Sequence, residues 1–186
     1  VNLGQGDHKG LQIKARIVGL SGKTLWQKTV SVDSPDDSTL KVLKPEVPSD
    51  VEDVYLIRLD LTDADGKMVS QNTYIRGRRD GHYEAVRTMP KATVVFAEKA
   101  LESVEEGSKL TFVVSNKSDC PALMVRLNLK GTDGEQILPA FYSDNFLTLL
   151  PGESVPVTIS WRSEDSRGCQ PSVELDGINV ASTLLK

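Results

Sequence analysis

Val155-Pro156-Val157-Thr158-Ile159-Ser160-Trp161-Arg162 places an apolar side chain at every second position, with Pro156, Thr158, Ser160 and Arg162 between them. Successive side chains of a strand point to opposite faces, so the stretch reads as a strand with Val155, Val157, Ile159 and Trp161 turned inward. Outward from it the same period recurs. Leu123, Val125, Leu127 and Leu129 form one run, Leu110, Phe112 and Val114 another. Near the start, Leu11, Ile13, Ala15 and Ile17 alternate with Gln12, Lys14, Arg16 and Val18. Each run is expected to bury one face. Short turn signals punctuate the runs at Gly19-Leu20-Ser21-Gly22, Asp63-Ala64-Asp65-Gly66, Gly131-Thr132-Asp133-Gly134 and Pro151-Gly152, and are expected to join neighbouring strands. No window of about 12 residues keeps helical spacing, and the candidates near 81–89 and 97–106 are short. The chain reads as all-β.

Closely spaced strands without intervening helices imply two tandem immunoglobulin/fibronectin-like antiparallel β-sandwiches of roughly 100 residues each, which 186 residues accommodate. The alternation gives way to charge at Arg76-Gly77-Arg78-Arg79-Asp80-Gly81-His82. The expected division is therefore 1–88, ending in a solvated linker over about 76–90, and 89–186.

A hydrophobic share of 39% with a net charge of −4 suits a folded chain rather than a disordered one. No apolar run approaches the roughly 18 to 20 residues of a membrane helix, so no membrane partner is expected. The halves carry 13 basic with 13 acidic and 9 basic with 13 acidic side chains, and neither makes the basic surface that nucleic acid requires. Val1 in the first position, without a basic-then-apolar leader, points to a processed product or a piece of something longer.

Chemistry is sparse. Asp63-Ala64-Asp65-Gly66 lacks the later Glu of a calcium loop and reads as a hairpin turn, as does Gly131-Thr132-Asp133-Gly134. A glycosidase needs two carboxylates across a cleft. Here acidic residues fall in turns or on outward strand positions, Asp60 and Glu174 among them, where solvation accounts for them. His8 and His82 are the only imidazoles, and no Ser or Cys has a nucleophile-elbow context. The expected catalytic, cofactor and metal residues are accordingly none. Trp26, whose strand phase is ambiguous, is the candidate carbohydrate contact, with core or interdomain packing as the competing role. Cys120 and Cys169 lack zinc spacing and leave a disulfide open. In Leu150-Pro151-Gly152-Glu153 the order Pro then Gly fits a type II turn with positive φ at Gly152.

The segment Ile137-Leu138-Pro139-Ala140-Phe141-Tyr142-Ser143-Asp144-Asn145-Phe146-Leu147-Thr148-Leu149-Leu150-Pro151-Gly152-Glu153 resembles a signature of the C-terminal immunoglobulin-like domain of glycoside hydrolase family two, most like the β-mannosidase and exo-β-glucosaminidase branch. Within it Asp144, Asn145, Pro151 and Gly152 are the structural turn motif. Val54 to Lys67 with Ser70-Gln71-Asn72-Thr73-Tyr74 is similar to the end of the preceding sandwich in those enzymes, and His82 to Lys91 to their linker. This chain has Ile75 where family members often carry an aromatic, and Asp176-Gly177-Ile178-Asn179 where they often carry Gly-Trp-Asn.

The resemblance implies a non-catalytic accessory segment of a periplasmic or secreted exo-β-glycosidase acting on β-linked mannose, glucosamine or galactose. The family's catalytic carboxylates lie on a preceding (β/α)₈ barrel, so no catalytic residue carries over, no cofactor is implied, and the implied partners are that barrel and the other domains, with glycan as a further one. The competing class is a free-standing glycan- or protein-binding adhesion module, which an exposed Trp26 would favour.

Overall fold

The computed structural model describes residues 1–4 and 6–185, which form two compact units, Val1–Val86 and Arg87–Lys186. The chain is almost entirely β, in antiparallel sheets.

The first unit holds β1 (His8–Gly19), β2 (Thr24–Ser34), β3 (Val54–Thr62) and β4 (Met68–Gly77), ordered β2-β1-β3-β4. Two tight turns make the sequence-adjacent pairs possible. Gly22, at φ 89°, donates its N–H to Gly19 O between β1 and β2. Between β3 and β4 the carboxylate of Asp63 accepts from the N–H of Asp65 at 3.0 Å and of Lys67 at 2.8 Å, with Gly66 at φ 81°. Pairing Ile17 with Trp26 and Ile57, and Ile57 with Tyr74, puts these four in one row on one face. Instead of a second sheet, the strand-free stretch 35–53 closes that face. Val51 packs with Ile17 and Tyr55, while Leu40 and Val42 join Leu11, Ile13, Val32 and Leu61 around a hollow of about 430 Å³.

The opposite face is buried in part. Val18, outward by its phase, is 2% exposed, beside the fully buried Leu56, whereas Gln12, Lys14 and Gln27 of the same face stay exposed. Alternation identifies the two faces of a strand but not how much of each is covered, and here part of the second is. The stretch expected as a solvated linker is also tied down. Arg78 donates its backbone N–H to Asp53 O at 2.7 Å and its guanidinium to Ser49 O at 3.1 Å, and a single helical turn, α1 (Ala85–Thr88), follows.

The second unit is a two-sheet sandwich. Its strands are β5 (Val94–Val104), β6 (Gly107–Asn116), β7 (Ala122–Lys130), β8 (Ala140–Tyr142), β9 (Leu147–Leu149), β10 (Ser154–Arg162), β11 (Ser172–Asp176) and β12 (Thr183–Leu185). One sheet runs β5-β6-β10-β8 and the other β12-β11-β7-β9. The inward alternates from both, including Phe112, Val114, Leu127, Leu129, Val157, Ile159, Trp161, Val173 and Leu175, form one core. Each large apolar side chain there contributes roughly 1.5–3 kcal/mol by leaving water. Phe96 meets Phe112 edge-to-face, centroids 5.3 Å apart.

One turn differs from expectation. Gly131 to Gly134 makes the expected hairpin, with Gly134 N donating to Gly131 O, Gly131 N to Glu135 O and Ile137 N to Leu129 O around the antiparallel Lys130–Gln136 pair, before the chain continues to β8 in the other sheet. Leu150 to Glu153 instead passes the chain from β9 to β10 across the sandwich. Such a turn needs the same residues as a hairpin, because its backbone geometry is local, whereas the sheet each strand joins is decided by packing.

Candidate functional site

Arg16, Arg58, Asp60, Gln71 and Thr73 share one face of the first sheet, since Arg16 pairs with Arg58, Arg58 with Thr73 and Asp60 with Gln71. The side chains converge on the Asp60 carboxylate. Arg16 reaches Oδ2 at 2.7 Å, and the Arg58 Nε and the Gln71 amide both reach Oδ1 at 2.9 Å. Arg58 also donates to Thr73 Oγ1 at 2.8 Å. Arg58 is 2% and Asp60 8% exposed, so the expectation that Asp60 is a solvated outward carboxylate is corrected. Glu174 keeps its outward position, half-buried there because it lies 2.6 Å from Lys130 Nζ and accepts from Ser182 Oγ at 2.9 Å.

Burial pushes the Asp60 carboxyl up, but Gln71, Arg16 and Arg58 outweigh it and hold it below the usual carboxylate range. A glycosidase acid must instead be held protonated, which takes the opposite environment. The cluster is thus a fixed internal ion pair that ties β1, β3 and β4 together.

Trp26 is half-buried and packs on Ile17, Val51 and Tyr55. In the turn motif, Asp144 Oδ1 accepts from Asn145 N at 2.8 Å. Asn145 pairs with Leu127, its Oδ1 accepting from Leu127 N at 2.8 Å and its Nδ2 donating to Leu127 O at 2.9 Å. Pro151 and Gly152 occupy the centre of a turn closed by Glu153 N donating to Leu150 O at 3.0 Å, with Gly152 at φ 75°. The Asn145 and Gly152 geometries lie in one segment but serve different strand connections. Cys120 and Cys169 are free thiols, and burial raises the Cys120 pKa. Among the described residues no three or more His, Cys, Asp or Glu are grouped to hold a metal.

Two buried asparagines escaped the reading of the sequence. Asn179, 1% exposed, donates to Pro90 O at 2.8 Å and Pro121 O at 2.9 Å and accepts from Leu123 N at 3.0 Å. Asn116, fully buried, donates to Cys120 O at 2.8 Å and Leu149 O at 3.0 Å. The signal for Asn116 was its place as the polar residue ending an apolar strand, where an amide can satisfy loop carbonyls. Asn179 stood in the Asp176-Gly177-Ile178-Asn179 turn, with nothing local to reveal its distant partners.

The model of the family described as "Exo-beta-D-glucosaminidase Ig-fold domain" matches residues 72–180, and that of "Mannosidase Ig/CBM-like domain" matches residues 1–76. Among curated proteins, an exo-β-D-glucosaminidase of Streptomyces avermitilis is 27% identical over 92% of this chain and 22% of its own length. That of Hypocrea jecorina is 25% identical over 94% of this chain and 22% of its own length. The chain therefore spans about a fifth of the length of the curated relatives it matches. Among solved structures, Amycolatopsis orientalis exo-chitosanase CsxA superposes with a TM-score of 0.80 at 23% identity, over 97% of this chain and 24% of that one. A β-D-mannosidase from Dictyoglomus thermophilum gives a TM-score of 0.61 at 22% identity, over 95% of this chain and 19% of that one. At these identities the structural matches speak to fold.

Proposed function

Because the chain belongs to the exo-β-D-glucosaminidase Ig-fold domain family, matched over residues 72–180, we propose that it serves as the accessory, non-catalytic Ig-like region of an exo-β-glycosidase that removes β-linked glucosamine from chain ends. The carrying observation is that family match over more than half of the chain. The chemistry agrees with it. The buried carboxylate Asp60 is locked between two guanidiniums, an arrangement that braces a sheet and leaves no proton donor beside a sugar. In this reading catalysis belongs to the barrel of the parent enzyme, and the two β units support it by packing, as native-state contacts do.

The test has two arms. The 186-residue chain is assayed on chromogenic β-glucosaminide, β-mannoside and β-galactoside, and the full-length enzyme is melted and assayed with and without this region. No turnover by the chain, turnover of β-glucosaminide by the full-length enzyme, and a lower melting temperature after deletion are expected. Turnover by the isolated chain, or a parent inactive on β-glucosaminide, overturns the reading.

A further inference from the structure

On the sheet β12-β11-β7-β9 the inward alternates Val125, Leu127 and Leu129 are at most 1% exposed, which turns Met124, Arg126 and Lys130 outward with Glu174 and Asp176 of the neighbouring strand. The charges on this face are complete in themselves. Arg126 gives Asp176 two hydrogen bonds, Nε to Oδ1 at 3.1 Å and a terminal nitrogen to Oδ2 at 2.6 Å, and Lys130 lies 2.6 Å from Glu174. Beside them large apolar side chains stand in solvent, Met124 at 40%, Phe146 at 54% and Leu184 at 52% exposure. The register that sets Val125 against Leu147, and the Asn145 amide against Leu127, brings Phe146 alongside Arg126.

Met124 and Phe146 also share a backbone anomaly, with φ of 51° and 54°. That region strains any residue with a β-carbon and persists only where the surroundings impose it. Asn145 does so for Phe146, its Oδ1 accepting from Phe146 N at 2.8 Å, and at Met124 the ladder slips between Ala122 and Val125. Strain held at two neighbouring, solvent-facing apolar side chains marks a surface shaped for contact.

Its chemistry favours protein over glycan. Phe, Met and Arg are the residue types enriched in protein interfaces. Ion pairs already satisfied within the face leave no lone charge when a partner covers them, whereas a sugar's hydroxyls need free donors and acceptors. Most of the length of the exo-β-D-glucosaminidase relatives lies outside the region that this chain matches, so ample polypeptide exists to cover it. We propose that this face docks a neighbouring domain of the same enzyme, with Met124 and Phe146 as its apolar anchors about the Arg126–Asp176 pair. The proposal rests on the reading of the chain as an accessory region.

The double variant Met124→Asn and Phe146→Asn tests it, because Asn tolerates left-handed backbone while removing both anchors. In the 186-residue chain the melting temperature should stay level or rise. In the full-length enzyme it should fall by several degrees. Equal behaviour in both proteins, in either direction, overturns the docking proposal, and so does binding of a chitosan oligosaccharide that the variant abolishes. β-Glucosaminide turnover by the full-length enzyme is read separately. Turnover without the difference in melting defeats the docking proposal alone, and the difference in melting without turnover defeats the functional reading alone.

Discussion

Asn145 binds Leu127 as a strand neighbour would, its side-chain amide accepting from the Leu127 N–H at 2.8 Å and donating to the Leu127 carbonyl at 2.9 Å. One side chain thereby continues the ladder between β7 and β9 past the point where β9 has not yet begun. Asn145→Ala leaves both backbone groups of Leu127 without this partner, and a loss of about 1–3 kcal/mol is expected. Asn145→Asp keeps the acceptor and loses the donor, so it should fall between the two in denaturant melts. A wild-type midpoint for Asn145→Ala would refute the bracing role.

Gly152 has open space where a β-carbon would stand, so its requirement for glycine is its φ of 75° alone. Gly152→Ala should lower stability by about 1 kcal/mol, and Gly152→Asn by less, since Asn enters this region more readily. Thermal melts that rank Asn below Ala would contradict a purely conformational origin.

Asn179→Leu removes the partner of two buried backbone groups, the Leu123 N–H and the Pro121 carbonyl, and one donor to the partly buried Pro90 carbonyl. The expected loss is about 3 kcal/mol, more than that of Asn145→Ala, because desolvated carbonyls left without donors are penalised in full. Hydrogen exchange should show early opening around Leu123. Unchanged protection there would count against the network.

Asp60→Asn leaves Arg58, 2% exposed, facing a neutral amide, and about 3 kcal/mol should be lost at pH 7. The pH dependence has a definite sign. The folded carboxyl titrates below its ordinary value, so its stabilisation is fully present above the unfolded value of about 4 and is lost as pH falls through the lowered folded value. Wild type and Asp60→Asn should therefore begin to approach each other in stability below about pH 4 and draw level only once pH has fallen through the lowered folded value. Parallel curves across that range would show that the carboxylate charge is not what holds the sheet.

Wherever structure follows from neighbours in the chain, the residues alone suffice to read it. The alternation of β7 is one case: Leu123, Val125, Leu127 and Leu129 lie buried as their period demands, since the direction of a strand side chain is set by its own backbone. The Leu150 to Glu153 turn is another, because Pro and Gly restrict φ residue by residue. Burial of a second face has no such local mark. Val18 and Asp60 stand at outward positions of strands and are nevertheless covered, and Asp60 finds Arg16 44 residues away. Asn179 takes its partners from 58 and 89 residues upstream. Whether a polar side chain in such a position is solvated or buried in a network is fixed by desolvation and hydrogen bonding among segments that meet only once the sheets have assembled, and that meeting leaves no periodic trace in the residues on either side.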